Sequence, residues 1–90
     1  MILTLNINEI DIAYRAVQNA PHTATIAPDI LTVLDVEEYK PSYDLEFENA
    51  EFENIRLAVS HFEKTQLDIN IKKQAQLLLD KLNEIRTTLI

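Results

Sequence analysis

Residues 71–89, IKKQAQLLLDKLNEIRTTL, place Ile71, Ala75, Leu78, Leu82, Ile85 and Leu89 at successive spacings of 4, 3, 4, 3 and 4. That is a helical seam sustained over nearly three heptads. Leu77 and Leu79 flank Leu78 by about 100° on either side, so the apolar arc is wider than a two-stranded seam needs. Lys72, Lys73, Gln76, Asp80, Asn83, Glu84 and Thr87 fill the opposite arc. A helix patterned in this way belongs at the centre of a bundle. The same stripe has a second reading, in which Leu78, Leu82, Ile85 and Leu89 are shared between a core and a homodimer interface.

Before this helix, Phe52, Ile55, Val59 and Phe62 fall on one face and predict a third helix over 49–64, or from as early as Ser42. Asp68 and Asn70 are candidate caps between the two. Upstream, Tyr43-Asp44-Leu45-Glu46-Phe47-Glu48 alternates apolar and acidic residues. Period two fits a half-buried strand, and acids in a first helical turn fit the dipole equally well, so 43–48 stays open between them. Pro28 opens a second helix over 28–39 with Ile30, Leu31, Val33 and Leu34 inward, and Pro41 ends it. The β-branched Thr32, Val33 and Val36 also permit a strand there. A first helix spans about 6–18: Asn6 caps it, Glu9 completes a capping box, and Leu5 with Ile10 forms a hydrophobic staple. Ile7, Ile10, Tyr14 and Val17 make its core stripe, and Asn19 suits the left-handed position before Pro21. The predicted fold is mainly α, a small three- or four-helix bundle with a short extended segment around 43–48 as the open element.

Ninety residues make one domain, 1–90, with 47% apolar residues for its core. No internal repeat, linker or low-complexity tract is evident. Glycine is absent where about six are expected from average usage near 7%. That excludes a phosphate-binding loop, a dinucleotide-binding turn and a nucleophile elbow, all of which need glycine for positive φ or close backbone approach. Cysteine is absent too, so no disulfide or thiolate chemistry is available. The opening residues lack a basic region and a long apolar run, and no stretch approaches about 20 apolar residues; the expected setting is cytoplasmic, with no membrane contact.

The net charge is −7. Residues 35–53 hold eight acids against Lys40 and account for the whole excess, while residues 54–90 are slightly basic. Two explanations compete: a solubilising surface partly neutralised by Lys72, Lys73 and Lys81, or a docking surface for a basic partner. The candidate contact residues are Asp35, Glu37, Glu38, Tyr39, Tyr43, Asp44, Glu46, Glu48, Glu51 and Glu53, with the tyrosines as anchors. Phe47 and Phe52 read as core. The balance of charge opposes direct nucleic-acid binding.

Reactive constellations are missing from the pattern. His22 and His61 stand apart, outside any common metal-ligand spacing. Ser60 precedes His61 directly, and helical neighbours point about 100° apart, so they do not form a nucleophile and its base. The expectation is therefore a non-enzymatic domain without metal or cofactor. It binds a basic protein partner and pairs as a homodimer through its last helix. The alternative is an acidic inhibitor, a nucleic-acid mimic that occupies the binding site of a nucleic-acid-binding protein, as antitoxins and phage anti-defence proteins do.

Overall fold

A computed structural model describes residues 1–20, 27–36 and 40–89. The elements are β1 (Ile2–Leu5), α1 (Ile7–Asn19), α2 (Ala27–Leu34), β2 (Tyr43–Glu46), α3 (Asn49–Thr65) and α4 (Ile69–Leu89). The mainly helical architecture agrees with the periodicity, and the open segment 43–48 resolves as strand at 43–46. Its partner, β1, is an element that the sequence reading did not place. Ile2-Leu3-Thr4-Leu5 alternates over only four residues, too few to stand out.

The two strands pair antiparallel, Ile2 with Glu46, Leu3 with Leu45, Thr4 with Asp44 and Leu5 with Tyr43. Met1 and Phe47 extend the ladder: the Phe47 N–H donates to the Met1 carbonyl at 2.9 Å, and the Met1 nitrogen donates to the Phe47 carbonyl at 2.7 Å. Antiparallel pairs alternate in type, so Thr4 and Asp44 form a pair whose main-chain groups point away from each other while their side chains approach. Thr4 Oγ1 accordingly donates to Asp44 Oδ1 at 2.7 Å. The outward Thr4 carbonyl accepts from Lys81 Nζ at 2.7 Å, which closes part of the ribbon's free edge.

Local chemistry sets the helix ends. Glu9 N–H donates to Asn6 Oδ1 and Asn6 N–H donates to Glu9 Oε1, both at 2.9 Å, completing the expected capping box of α1. Asn6→Ala should lower the unfolding free energy by about 1 kcal/mol, read from the urea midpoint. Asn19 does not take a left-handed conformation. It stays helical, and its amide donates to the Arg15 carbonyl at 2.8 Å; no described residue has positive φ. A side-chain donor here satisfies a terminal carbonyl that glycine would otherwise leave to a reversal. The α2 helix stops at Leu34, short of the predicted Tyr39, where Val36 N–H donates back to the Leu34 carbonyl at 3.0 Å in a three-residue turn. Asp68 Oδ1 accepts from Asn70 and Ile71 N–H at 2.9 and 3.2 Å, so α4 starts at Ile69, two residues earlier than its apolar seam.

One core joins all six elements. Leu3, Leu5, Tyr43, Leu45 and Phe47 cover one face of the ribbon, meeting Ile10, Ala13 and Val17 of α1, Phe52, Ile55 and Val59 of α3, and Leu78 and Leu82 of α4. Ile30 and Leu34 of α2 complete it.

Contrary to the reading of the sequence, the chain does contain a repeat. The order is strand, helix, helix, twice over, and α1 and α3 begin 42 residues apart, as do α2 and α4. At that offset Leu3, Leu5, Ile10, Ala13, Ala16 and Val17 fall on Leu45, Phe47, Phe52, Ile55, Ala58 and Val59, and all twelve are buried. Glu9 falls on Glu51, whose Oε1 accepts from Glu48 N–H at 2.8 Å as Glu9 does from Asn6. Leu3 and Leu45 are both repeat counterparts and cross-strand partners, so the two strands are related by a local twofold at that pair. The likeness is faint in sequence because only Leu3, Glu9, Ala16 and Val17 are identical across positions 3–17 and 45–59. Burial is retained through Ile–Phe and Ala–Ile exchanges.

Candidate functional site

The inward alternation of β2 sends Asp44 and Glu46 to the outer face of the ribbon, where both are exposed. Across the ribbon stand Thr4 and Ile2, the latter 66% exposed. Glu48, directly before α3, is exposed, and Glu51 in the first turn is half-buried. With Met1 and Phe47, the residues Glu46, Glu48 and Glu51 line an open groove at the end of the ribbon. Three of the predicted acids, Glu46, Glu48 and Glu51, are thus brought together, and Asp44 stands two residues along the ribbon on the same face as Glu46. Carboxylates at the start of α3 also suit the positive end of its dipole, and Glu51 has the capping task already described. Among the described residues no lysine or arginine forms an ion pair with Asp35, Asp44, Glu46, Glu48 or Glu51.

The expected internal neutralisation takes a different route. Lys81 turns to Glu9, with Nζ 3.1 Å from Oε1, rather than to the acidic run. Lys72 and Lys73 are exposed, and neither has an ion pair among the described residues.

Glu53 leaves the cluster. It is half-buried between α3 and α4, accepting from Arg56 Nε at 3.1 Å and lying 3.3 Å from Arg86 Nε. The Arg56 hydrogen bond holds its carboxyl below the ordinary value of 4.5; partial desolvation works against this, and the charges of Arg56 and Arg86 reinforce it. A carboxyl depressed in the folded state contributes stability above its unfolded value, and the contribution is lost as pH falls through the folded value. Glu53→Gln should therefore be less stable than the parent at neutral pH. Urea titrations should show the two converging as pH drops below 4.5.

The remaining candidates lie elsewhere. Asp35 is exposed just after α2, beside α1. Glu37, Glu38 and Tyr39 lie outside the described residues. Tyr43 is 7% exposed and faces the core, with its hydroxyl accepting from Lys40 N–H at 2.8 Å. As an inward position of β2 it offers no ring to a partner, which corrects its place among the anchors. The homodimer candidates Leu78 and Leu82 are buried within this chain, Ile85 is half-buried, and the Leu89 side chain lies outside the described residues. The helical seam is therefore used by the chain's own α1 and α3. Sequence reasoning missed Ile2 and Thr4 on the ribbon and the dual role of Lys81. The short alternation at 2–5 was the one available signal for the first two.

The exposed His61 sits on α3 with Leu57, Ser60 and Lys64, and His22 lies outside the described residues. Among the described residues no group of three or more histidines and acids is placed to hold a metal ion, and no helix is long and apolar enough to cross a membrane. No family model, curated protein or solved structure matches the chain.

Proposed function

We propose that this chain is a non-catalytic protein-interaction domain whose acidic ribbon face engages a basic surface on another protein. The observation that carries the reading is the set Asp44, Glu46 and Glu48, alternate exposed residues running along the ribbon to the start of α3 and without ion pairs among the described residues. Exposed like charges repel one another, and an incoming cationic surface relieves that repulsion. Complementary charge speeds encounter and rejects wrong partners. Ile2 adds apolar area beside Glu46, its cross-strand neighbour. A two-stranded ribbon is a shape that a DNA major groove admits, but this one presents carboxylates and would be repelled by phosphate.

A second reading rests on the same line of charges. Alternate residues of a strand stand about 6–7 Å apart, so Asp44 and Glu46, continued by Glu48 just beyond the strand, have a spacing loosely like that of a charged backbone. In that case the partner's basic surface is itself a nucleic-acid-binding site.

Affinity capture from the source cell, with the partner then purified, tests both readings. Replacing Asp44 and Glu46 with lysine should lower affinity for that partner by about tenfold, mostly through slower association, and binding should weaken as salt rises. Competition by nucleic acid favours the mimic. Unchanged affinity in the charge-reversed variant, with its circular dichroism intact, removes the ribbon from the account.

A further inference from the structure

Among the described residues the two halves of the repeat are unequally covered. On α3, Glu53 and Arg56 face the second half of α4: Arg86 Nε lies 3.3 Å from Glu53, and Arg56 donates to Asn83 Oδ1 at 3.2 Å. Forty-two residues earlier, the same positions on α1 are Asp11 and Tyr14. The α2 helix ends at Leu34, whereas α4 runs on to Leu89, so among the described residues no helix covers this part of α1. An open groove of about 440 Å³ takes its place, walled by the half-buried Ile7, Tyr14 and Val36 over the buried Ile10 and Leu34, with Asn8, Asp11 and Asp35 along it. Asp11 is about half-exposed, and its ion pair among the described residues is with Arg15, one turn along its own helix, at 3.3 Å.

We propose that this groove receives an amphipathic helix from a partner protein. The helix would carry an apolar stripe like Leu78, Leu82 and Ile85, and a basic residue that meets Asp11 as Arg86 meets Glu53. The choice of a helix rests on the molecule itself, because a helix covers the equivalent face of α3. The choice of a cation rests on charge: the groove is lined by Asp11 and Asp35 and by no basic residue. Apolar walls with an acidic margin suit a helix-in-groove mode, in which anchors recur every three or four residues. The chain's own α4 is already seated elsewhere, with Leu78 and Leu82 buried, so among the described residues no helix of this chain is free to fill the groove. The inference does not depend on the ribbon reading.

The probe is a capped peptide with the sequence of residues 75–89, AQLLLDKLNEIRTTL, titrated into the isotope-labelled full chain and followed by amide chemical shifts. Saturable shifts at Ile7 to Tyr14 and at Leu34 to Val36, with a Kd of about 1 mM or tighter, are expected. Asp11→Arg in the protein should weaken binding about two- to fivefold, the range of an exposed ion pair, and Arg86→Glu in the peptide should do the same. Combining the two changes should restore affinity. Asp11 is exposed, so its replacement should leave the circular dichroism and the urea midpoint nearly unchanged. No shifts up to about 1 mM, shifts at α3 where the peptide displaces α4, or a charge swap that fails to restore binding would each overturn the proposal. So would concentration-dependent shifts at the groove in the chain alone, which would make a second copy the occupant.

Discussion

Leu82→Ala lowers the unfolding free energy by about 2–5 kcal/mol, and its urea midpoint does not depend on protein concentration. The side chain is fully buried among residues of the same chain, so its truncation leaves a cavity inside one subunit. A domain of this size has about 5–13 kcal/mol in total, so the loss is a large fraction of the whole. Had Leu82 belonged to a seam between two copies, the midpoint of the parent would rise with concentration, since association stabilises by mass action. Measuring parent and variant over a hundredfold dilution separates the cases. A concentration-dependent parent, with Leu82→Ala abolishing that dependence, would return this helix to a dimer interface.

Tyr43→Ala should cost about 3–5 kcal/mol, the range for removing a buried aromatic ring, whereas Tyr43→Phe should cost only about 0.5–1.5 kcal/mol. The ring is 7% exposed in the ribbon's inner face, and its hydroxyl takes the Lys40 N–H at 2.8 Å. The first substitution empties core volume. The second removes the hydroxyl that accepts from Lys40 and leaves that amide to find water at an exposed position. Urea unfolding of the two variants gives both numbers. A Tyr43→Ala variant as stable as the parent would mean that the ring is not packed in the core, and it would again be a candidate contact.

The local signals in the sequence are strong where a residue acts on its immediate neighbours. Asn6 with Glu9, and Asp68 before α4, could be assigned as caps because the amides they serve lie two or three residues away. The stripe of α3 could be assigned because Phe52, Ile55 and Val59 share one face whatever they pack against. Signals failed where a residue's partner is distant. Leu3 and Leu45 are direct neighbours in the ribbon and 42 positions apart in the chain. Nothing local distinguishes the Lys81 that reaches Glu9 and the Thr4 carbonyl from Lys72 and Lys73, which extend into solvent. The acidic run looked uniform, yet Glu53 belongs to an arginine pair between helices, while Asp44 and Glu46 look outward. Side-chain direction on a strand depends on register, and register depends on the partner strand.

By itself the sequence determined that the chain is helical, that it contains no glycine-dependent loop or thiol, and that its net negative charge is concentrated between residues 35 and 53. These follow from composition and from periodicities that any short segment carries alone. Only the tertiary structure decided that Met1 to Leu5 pairs with 43–47, that Leu78 and Leu82 of α4 are used in the chain's own core, and that among the described residues one half of a repeated unit is less covered than the other. The physical reason is that an apolar face specifies burial but not its covering, and that choice is made by the whole chain as it closes.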